Sequence, residues 1–185
     1  HFRRNDQAAA LDVMAVVQPG DLVIRDLGYF VLGSLAQIAQ AGAFFLSRLR
    51  VSTGIWDATG SKPLDLLQRL RGGGRLDFNV CLGAQKVPAR LVAVKLPAVV
   101  AAERRRRARA GQKHDGRYQV QKRTLALLDW ALFVTNVPTE VWPAKTVVAV
   151  YGLRWRIETI FKAWKSHFEL TEVPCGSPAQ LQAMI

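Results

Sequence analysis

The stretch DLVIRDLGYFVLGSLAQIAQAGAFFLSRLR, residues 21–50, decides the fold class of this chain. Residues 22–24 are a short apolar run of the kind that makes a buried strand. Residues 32–40 have the apolar spacing of a helix, and residues 43–50 have the character of a second strand. Strand, helix and strand in this order predict a parallel β-α-β unit, and Asp26 follows its first strand directly. Active-site residues of open α/β sheets gather at such carboxyl ends.

The next part of the chain, residues 51–136, has more loops and strands. Turn residues and apolar alternation predict a short helix, two strands, a basic helix and a last strand, at residues 63–71, 76–82, 89–96, 98–113 and 130–136. We expect this part to be a small β-strand-rich insertion.

A long helix is predicted from about Val141 to roughly Phe168, and it contains YGLRWRIETIFKAWK, residues 151–165. At 100° per residue, four polar side chains fall within about 60° of one another, in a row along the helix. These are Tyr151, Arg154, Glu158 and Lys165.

An apolar stripe borders this row, and we expect it to be the face that packs on the core. It consists of Leu153, Ile157, Ile160, Phe161, Trp164 and Phe168. A polar row at the edge of a buried stripe can face a cleft. The alternative is that Arg154 and Glu158 form an ordinary surface ion pair, worth a few tenths of a kcal/mol.

The charge of the chain favours a polyanionic partner. The 185 residues carry a net charge of +12, and half of them are hydrophobic. A basic globular chain of this kind usually meets nucleic acid or an acidic membrane surface. No apolar run approaches the roughly 20 residues that span a bilayer, there is no signal peptide, and the two cysteines lack metal-ligand spacing. We therefore expect a cytoplasmic protein.

The spacing of Tyr151, Arg154, Glu158 and Lys165 resembles the Y-R-E-K signature of the IS4-type DDE transposases. The run GDLVIRDLGYF, residues 20–30, is similar to the strand of that family that carries the second catalytic Asp. The resemblance covers most of the chain. It implies an α/β, RNase H-like fold, incomplete here, in which residues 1–50 and 137–185 form the core and residues 51–136 the insertion.

The resemblance also implies a function: metal-dependent cleavage and transfer of DNA strands at transposon ends, with two Mg²⁺ (or Mn²⁺) ions. Asp26 would be the second metal-binding carboxylate and Glu158 the third. Tyr151, Arg154 and Lys165 would contact phosphates near the scissile bond. The partners would be double-stranded DNA, as transposon ends and target, and a second copy of the protein on that DNA. A bacterial, nucleoid-associated location follows.

The family uses a first Asp on an earlier strand, and this chain offers no clear equivalent. Asp6, Asp12 and Asp21 precede Asp26, but none ends an apolar strand well upstream. Asp21 belongs better to the turn before the strand. We therefore expect the chain to be a fragment of a longer protein that is inactive, or nearly so, by itself.

Two tryptophans and a run of arginines are further candidates for DNA contact. Trp130 begins the strand before the Glu-bearing helix, and Trp155 lies beside the polar row. In hairpin-forming relatives a flipped base stacks on a tryptophan placed like Trp130, and stacking tolerates any base. Burial in a core is the alternative for both. Arg104 and Arg105 begin the densest positive run of the chain. This run either makes non-specific contacts with phosphates or belongs to a solvated helix.

Two other functions stay open at this stage. One is a DNA-binding remnant of a decayed transposase without chemistry. The other is a metal-dependent nuclease of RNase H-like fold, which would share the carboxylates but would not need the row from Tyr151 to Lys165.

Overall fold

The structure is a computed structural model that describes residues 16–71, 73, 75–114 and 120–167. The side chains of residues 112–114, 157, 158, 161, 162, 165 and 167 are outside this description. The described strands are β1 (Leu22–Arg25), β2 (Phe44–Arg48), β3 (Ile55–Trp56), β4 (Arg75–Leu82), β5 (Val87–Lys95) and β6 (Trp130–Thr135). The described α-helices are α1 (Leu32–Gln40), α2 (Leu66–Leu70), α3 (Ala98–His114), α4 (Lys122–Leu127) and α5 (Ala144–His167).

The predicted parallel β-α-β unit is confirmed. β1 pairs with β2 in parallel, from Leu22 opposite Phe44 to Arg25 opposite Ser47. α1 connects them, and Gly42 turns the chain into β2 with a φ of 72°. A side chain there would be strained, because L residues rarely adopt a positive φ. A 3₁₀ turn, Leu27–Tyr29, separates β1 from α1.

The sheet has six strands in the order β1-β2-β6-β5-β4-β3. β1 and β2 are parallel, and every later neighbour in the sheet is antiparallel. This mixed α/β architecture is consistent with the predicted fold class. β3, β4, β5 and β6 all come from the predicted insertion, residues 51–136, and they extend the same sheet as β1 and β2. The division of the chain at residues 50 and 136 stays a prediction.

One face of the sheet carries the main hydrophobic core. Residues at alternate positions of β2, β4, β5 and β6 share a face, since side chains of a strand alternate. The fully buried members of this cluster include Phe45, Val80, Leu91 and Val134, and α1 adds Leu35 and Ile38.

Phe45 is the residue of this core whose truncation we expect to cost most. Its side chain is fully buried on β2. Phe45→Ala should lower the free energy of unfolding by about 3–5 kcal/mol, because it removes buried apolar contacts and leaves a cavity. Urea denaturation followed by tryptophan fluorescence measures this change. Phe44→Ala is the control: Phe44 is only partly buried, so an equal loss there would contradict the assignment of the core face.

The helix α2 is shorter than predicted. The sequence favours residues 63–71, but the helix begins only at Leu66. Asp65 caps it by accepting hydrogen bonds from the backbone N–H groups of Leu67 and Gln68, and Pro63 instead pairs with Trp56. A side-chain cap defines where a helix begins, so the two residues after Pro63 stay outside it.

The apolar stripe of α5 is not the buried face, so that prediction is wrong for the stripe residues whose side chains are described. Leu153, Ile160 and Trp164 are 46%, 50% and 52% exposed. Phe168 lies outside the described residues. Arg156 and Thr159, which lie off this stripe, are exposed too.

The buried line of α5 is instead the line of Tyr151. Ala144, Val147 and Tyr151 follow one another at spacings of three and four residues, and each is less than 9% exposed. The helical wheel above starts at Tyr151. It therefore leaves out Ala144 and Val147, which lie in the two preceding turns and belong to the same buried line. A helical wheel also ranks faces by composition and does not identify the face that another element covers.

The chain divides at Val148 into two compact units, and α5 begins in the first and continues into the second. None of the described helices has the length and apolarity that a membrane crossing requires.

Candidate functional site

Asp26 is held in one orientation at the carboxyl end of β1. Its Oδ1 accepts a hydrogen bond of 2.7 Å from the backbone N–H of Leu27 and so caps the 3₁₀ turn. Its backbone carbonyl accepts a second bond, of 3.0 Å, from the N–H of Tyr29. The residue is partly exposed. A carboxylate is therefore presented at the strand end where the sequence predicts a catalytic group.

Two arginines hold the turn that follows Asp26. Arg25 Nη1 lies 3.5 Å from the carbonyl oxygen of Tyr29, and Arg50 Nη2 donates at 3.2 Å to the carbonyl oxygen of Leu27. Arg25 is only 4% exposed, and this burial lowers the pKa of its guanidinium. Sequence reasoning missed both roles. The available signal was an arginine directly after an apolar strand run, a position where a charge is normally avoided.

A third arginine, Arg48, ends β2, the strand that pairs with β1. The paired register of the two strands ends at Arg25 opposite Ser47, and an extension of it by one residue would place Asp26 opposite Arg48. Arg48 is also close to Arg104 of α3. The pKa of Arg104 is lowered mainly by burial and to a smaller extent by repulsion from Arg48. Arg48 and Arg104 therefore place two positive charges close to one another.

On α5 the described part of the polar row is Tyr151 and Arg154. Tyr151 is 6% exposed. The guanidinium carbon of Arg154 lies 5.7 Å from the centre of the Tyr151 ring and 5.2 Å from that of Trp155. Trp155 itself is 60% exposed, as expected for a residue off the buried face. Both rings lie within the range of a cation–π contact with the guanidinium, which favours a restricted orientation of its planar fork.

Trp130 is a core residue that also lines a cavity. It is 8% exposed and belongs to the hydrophobic cluster of the sheet. One part of it faces a cavity of about 550 Å³, whose lining also includes Lys95 and Arg71. Most of the Trp130 side chain is therefore buried in the core, as the alternative to DNA contact predicts. The base-stacking role stays a prediction.

The arginine run on α3 splits into two pairs. Arg104 Nη1 donates at 3.3 Å to the backbone carbonyl of Trp130, and Arg105 forms an ion pair with Asp129. Arg106 and Arg107 are 77% and 78% exposed, and both bind Glu103 at 2.7 Å. Their hydrogen bonds lower the pKa of Glu103 to about 2. Four successive helical residues point around the helix as expected, so only part of the run faces solvent.

These features agree with a match over almost the whole chain: residues 3–185 fit the family described as transposase DDE domain. The chain belongs to this family.

Named transposases are similar to this DDE domain. The transposase of insertion sequence element IS231F from Bacillus thuringiensis subsp. israelensis is 30% identical over 91% of the chain. The transposase of IS1151 from Clostridium perfringens is 27% identical over 83% of it. A putative transposase InsL of IS186A from Escherichia coli K12 is 36% identical over 53%. The chain spans 39%, 36% and 26% of the length of these relatives.

Of the two metal ligands predicted for the DDE domain, only Asp26 has a described side chain. Glu158 and Lys165 lie on α5, but their side chains are outside the description, so how near Glu158 comes to Asp26 stays a prediction. Within the described ranges, no three His, Cys, Asp or Glu residues come together as a metal site. Asp21 accepts a hydrogen bond from the N–H of Gln18, as expected for a turn residue, and Asp6 and Asp12 lie outside the described residues.

Proposed function

We propose that the protein containing this chain cleaves DNA at the ends of a transposable element and joins those ends to target DNA. The observation that carries the proposal is Asp26, an ordered carboxylate at the carboxyl end of a strand, in a chain that matches the transposase DDE domain over residues 3–185. Active sites of α/β sheets occur at such strand ends.

In this proposal Asp26 and Glu158 are the second and third carboxylates of a two-metal site. Their oxygens suit Mg²⁺ or Mn²⁺, which prefer hard carboxylate ligands. The cap to Leu27 supports the fit, because it fixes one oxygen of Asp26 and so sets the direction of the carboxylate. When bound, two such ions supply activation of the attacking oxygen and stabilisation of the leaving oxygen.

The reaction has two steps: hydrolysis of one phosphodiester bond, and then transfer that forms another. In cleavage, the oxygen of a water molecule bonds to phosphorus, the bond from phosphorus to the 3′ oxygen breaks, and that oxygen leaves as a 3′ hydroxyl. In joining, this hydroxyl attacks a phosphodiester of the target strand and releases a new 3′ hydroxyl there. Both steps conserve the number of P–O bonds and need no oxidant or reductant.

The polar row of α5 binds the DNA backbone beside the scissile bond. Arg154 can grip a phosphate with two parallel N–H groups, and the rings of Tyr151 and Trp155 favour a restricted orientation of its guanidinium. We propose that Tyr151 and Lys165 contact the same stretch of backbone. Arg48, which an extension of the sheet register would place opposite Asp26, adds a cation that the sequence did not single out.

The basic helix α3 supplies non-specific attraction for double-stranded DNA in this proposal. Arg106 and Arg107 are the exposed members of the run. Arg104 and Arg105 contact the start of β6, and in this proposal they approach phosphates beside that end of the strand. Coupled cutting of two ends would require two copies on the DNA, so we propose a homodimer in the active complex.

The test is cleavage of a DNA duplex that carries an end of the element. The full-length protein should release a 3′ hydroxyl at the end in Mg²⁺ or Mn²⁺, and a chelator should stop it. Binding of the duplex without cleavage in either ion would contradict the proposal and identify a DNA-binding protein without chemistry.

We also propose that Trp130 receives an extruded base in the cavity that it shares with Lys95 and Arg71. Trp130→Leu should lower hairpin formation roughly 5- to 150-fold, since stacking on an aromatic ring contributes about 1–3 kcal/mol per base. Trp130→Phe is the control, because it keeps a flat ring in the same core position. Hairpin yield from a labelled end measures both. Equal yields from the Leu variant and the wild type would contradict this role.

A further inference from the structure

Arg90 of β5 connects the sheet to the segment from which α5 begins. It is 3% exposed, although it carries a full charge. Its Nε and Nη2 bind the two carboxylate oxygens of Asp77 on β4, at 2.6 and 2.5 Å. A planar guanidinium matches a carboxylate in this two-bond geometry, which fixes its orientation.

The remaining nitrogen of Arg90 points at the segment between β6 and α5. Nη1 donates to the backbone carbonyl of Val137 at 3.1 Å and to that of Trp142 at 2.7 Å. One side chain therefore holds both ends of residues 137–142. A buried backbone carbonyl needs such a partner, and a charged donor makes the strong form of the bond.

The start of this segment is also fixed to β2. The Asn136 side chain accepts from the N–H of Phe45 at 2.7 Å and donates to the carbonyl of Ala43 at 2.9 Å. Thr135 Oγ1 donates to the carbonyl of Phe45 at 2.6 Å and accepts from the N–H of Val137. The segment is thus bound to β2 at its start and, through Arg90, to the hairpin of β4 and β5 at both of its ends.

We propose that Arg90, oriented by Asp77, is a positioning residue that fixes the segment from which α5 starts. The inference rests on the proposed function, in which Glu158 and Arg154 of α5 act on DNA. It assigns a role in the reaction to the hairpin of β4 and β5, which is distant in sequence from every predicted catalytic residue. Misplacement of a catalytic group by about 1 Å can cost roughly 100-fold in rate.

The first measurement does not depend on activity. Amide hydrogen exchange of residues 146–151, in the first turns of α5, should quicken by roughly tenfold or more in Arg90→Met, relative to the amides of β5 and β6. The control is Leu91→Ala, which weakens the same hairpin from the opposite face of the sheet. If both variants loosen α5 to the same degree, Arg90 is a general stabiliser and the proposal is wrong.

The second measurement is the single-turnover rate of cleavage by the full-length protein on pre-bound DNA ends. Arg90→Met should lower this rate roughly 10- to 100-fold, with the dissociation constant for the DNA changed less than about threefold. Arg90→Lys should recover part of the rate, because it keeps the charge near Asp77 but not the fork. If Arg90→Met does not fold, Asp77→Asn replaces it in both measurements, because it removes one carboxylate oxygen that orients Arg90.

The two measurements separate the possible failures. Selective loosening of α5 with an unchanged cleavage rate would overturn the positioning role while the proposed function stands. A wild-type protein that binds ends and never cleaves them would overturn the proposed function, and hydrogen exchange would still test the contact between Arg90 and the start of α5.

Discussion

Asp26→Asn should lower the rate of DNA cleavage by the full-length protein at least about 10³-fold, while its folding stability stays nearly unchanged. The rate falls because an amide replaces a carboxylate where a divalent cation is proposed to bind, and several kcal/mol of transition-state stabilisation depend on that charge. The fold persists because Asn keeps the side-chain oxygen that accepts from Leu27, and Asn and Asp cap helices about equally well.

The comparison needs one measurement of rate and one of stability. Single-turnover cleavage of a labelled element end in Mg²⁺ gives the rate, and urea denaturation gives the free energy of unfolding, which we expect to change by less than about 1 kcal/mol. Asp21→Asn is the matched control, since Asp21 lies at the other end of β1 and caps only a turn. Glu158→Gln should reproduce the loss of rate. Cleavage by Asp26→Asn within tenfold of the wild type would contradict the assignment.

The strand and helix boundaries around Asp26 could be predicted because local signals agree there. An apolar run, a helical spacing and a glycine at a positive φ act within 30 residues, so β1, α1 and β2 form close to where the pattern places them. The order of the sheet could not be predicted. β6 pairs with β2 across more than 80 residues, from Thr135 opposite Leu46, and no local signal specifies such a pairing.

The buried arginines show a second limit of the sequence. Arg25 and Arg90 are charged residues in strands, where composition alone predicts exposure. Arg90 is buried because its donors bind groups from distant parts of the chain, Asp77 and two carbonyls near α5. The Nη1 of Arg25 instead lies near the carbonyl oxygen of Tyr29 in the adjacent turn. The same limit applies to α5, where the apolar composition of Leu153, Ile160 and Trp164 indicated the wrong face.

Arg154→Ala should weaken cleavage and end binding together, roughly 10²- to 10⁴-fold. Hydrogen bonds to a charged group contribute about 1.5–3 kcal/mol each, and this variant removes both bonds of the proposed fork to phosphate. Arg154→Lys should recover only part of the loss, because an ammonium cannot bind two phosphate oxygens in one plane or stack on the rings of Tyr151 and Trp155 as a guanidinium can.

Arg156→Ala distinguishes phosphate recognition at Arg154 from a change in net charge. Arg156 is two residues further along the same helix, carries the same charge and is exposed. In Arg156→Ala the slope of log affinity against log salt concentration should fall by the equivalent of about one phosphate contact. The cleavage rate of the bound complex should change little. Gel-shift titrations at several salt concentrations and single-turnover rates on pre-bound ends separate the two effects. If both alanine variants lose rate equally, attraction by net charge is sufficient, and the row beginning at Tyr151 does not recognise the DNA end in the manner proposed.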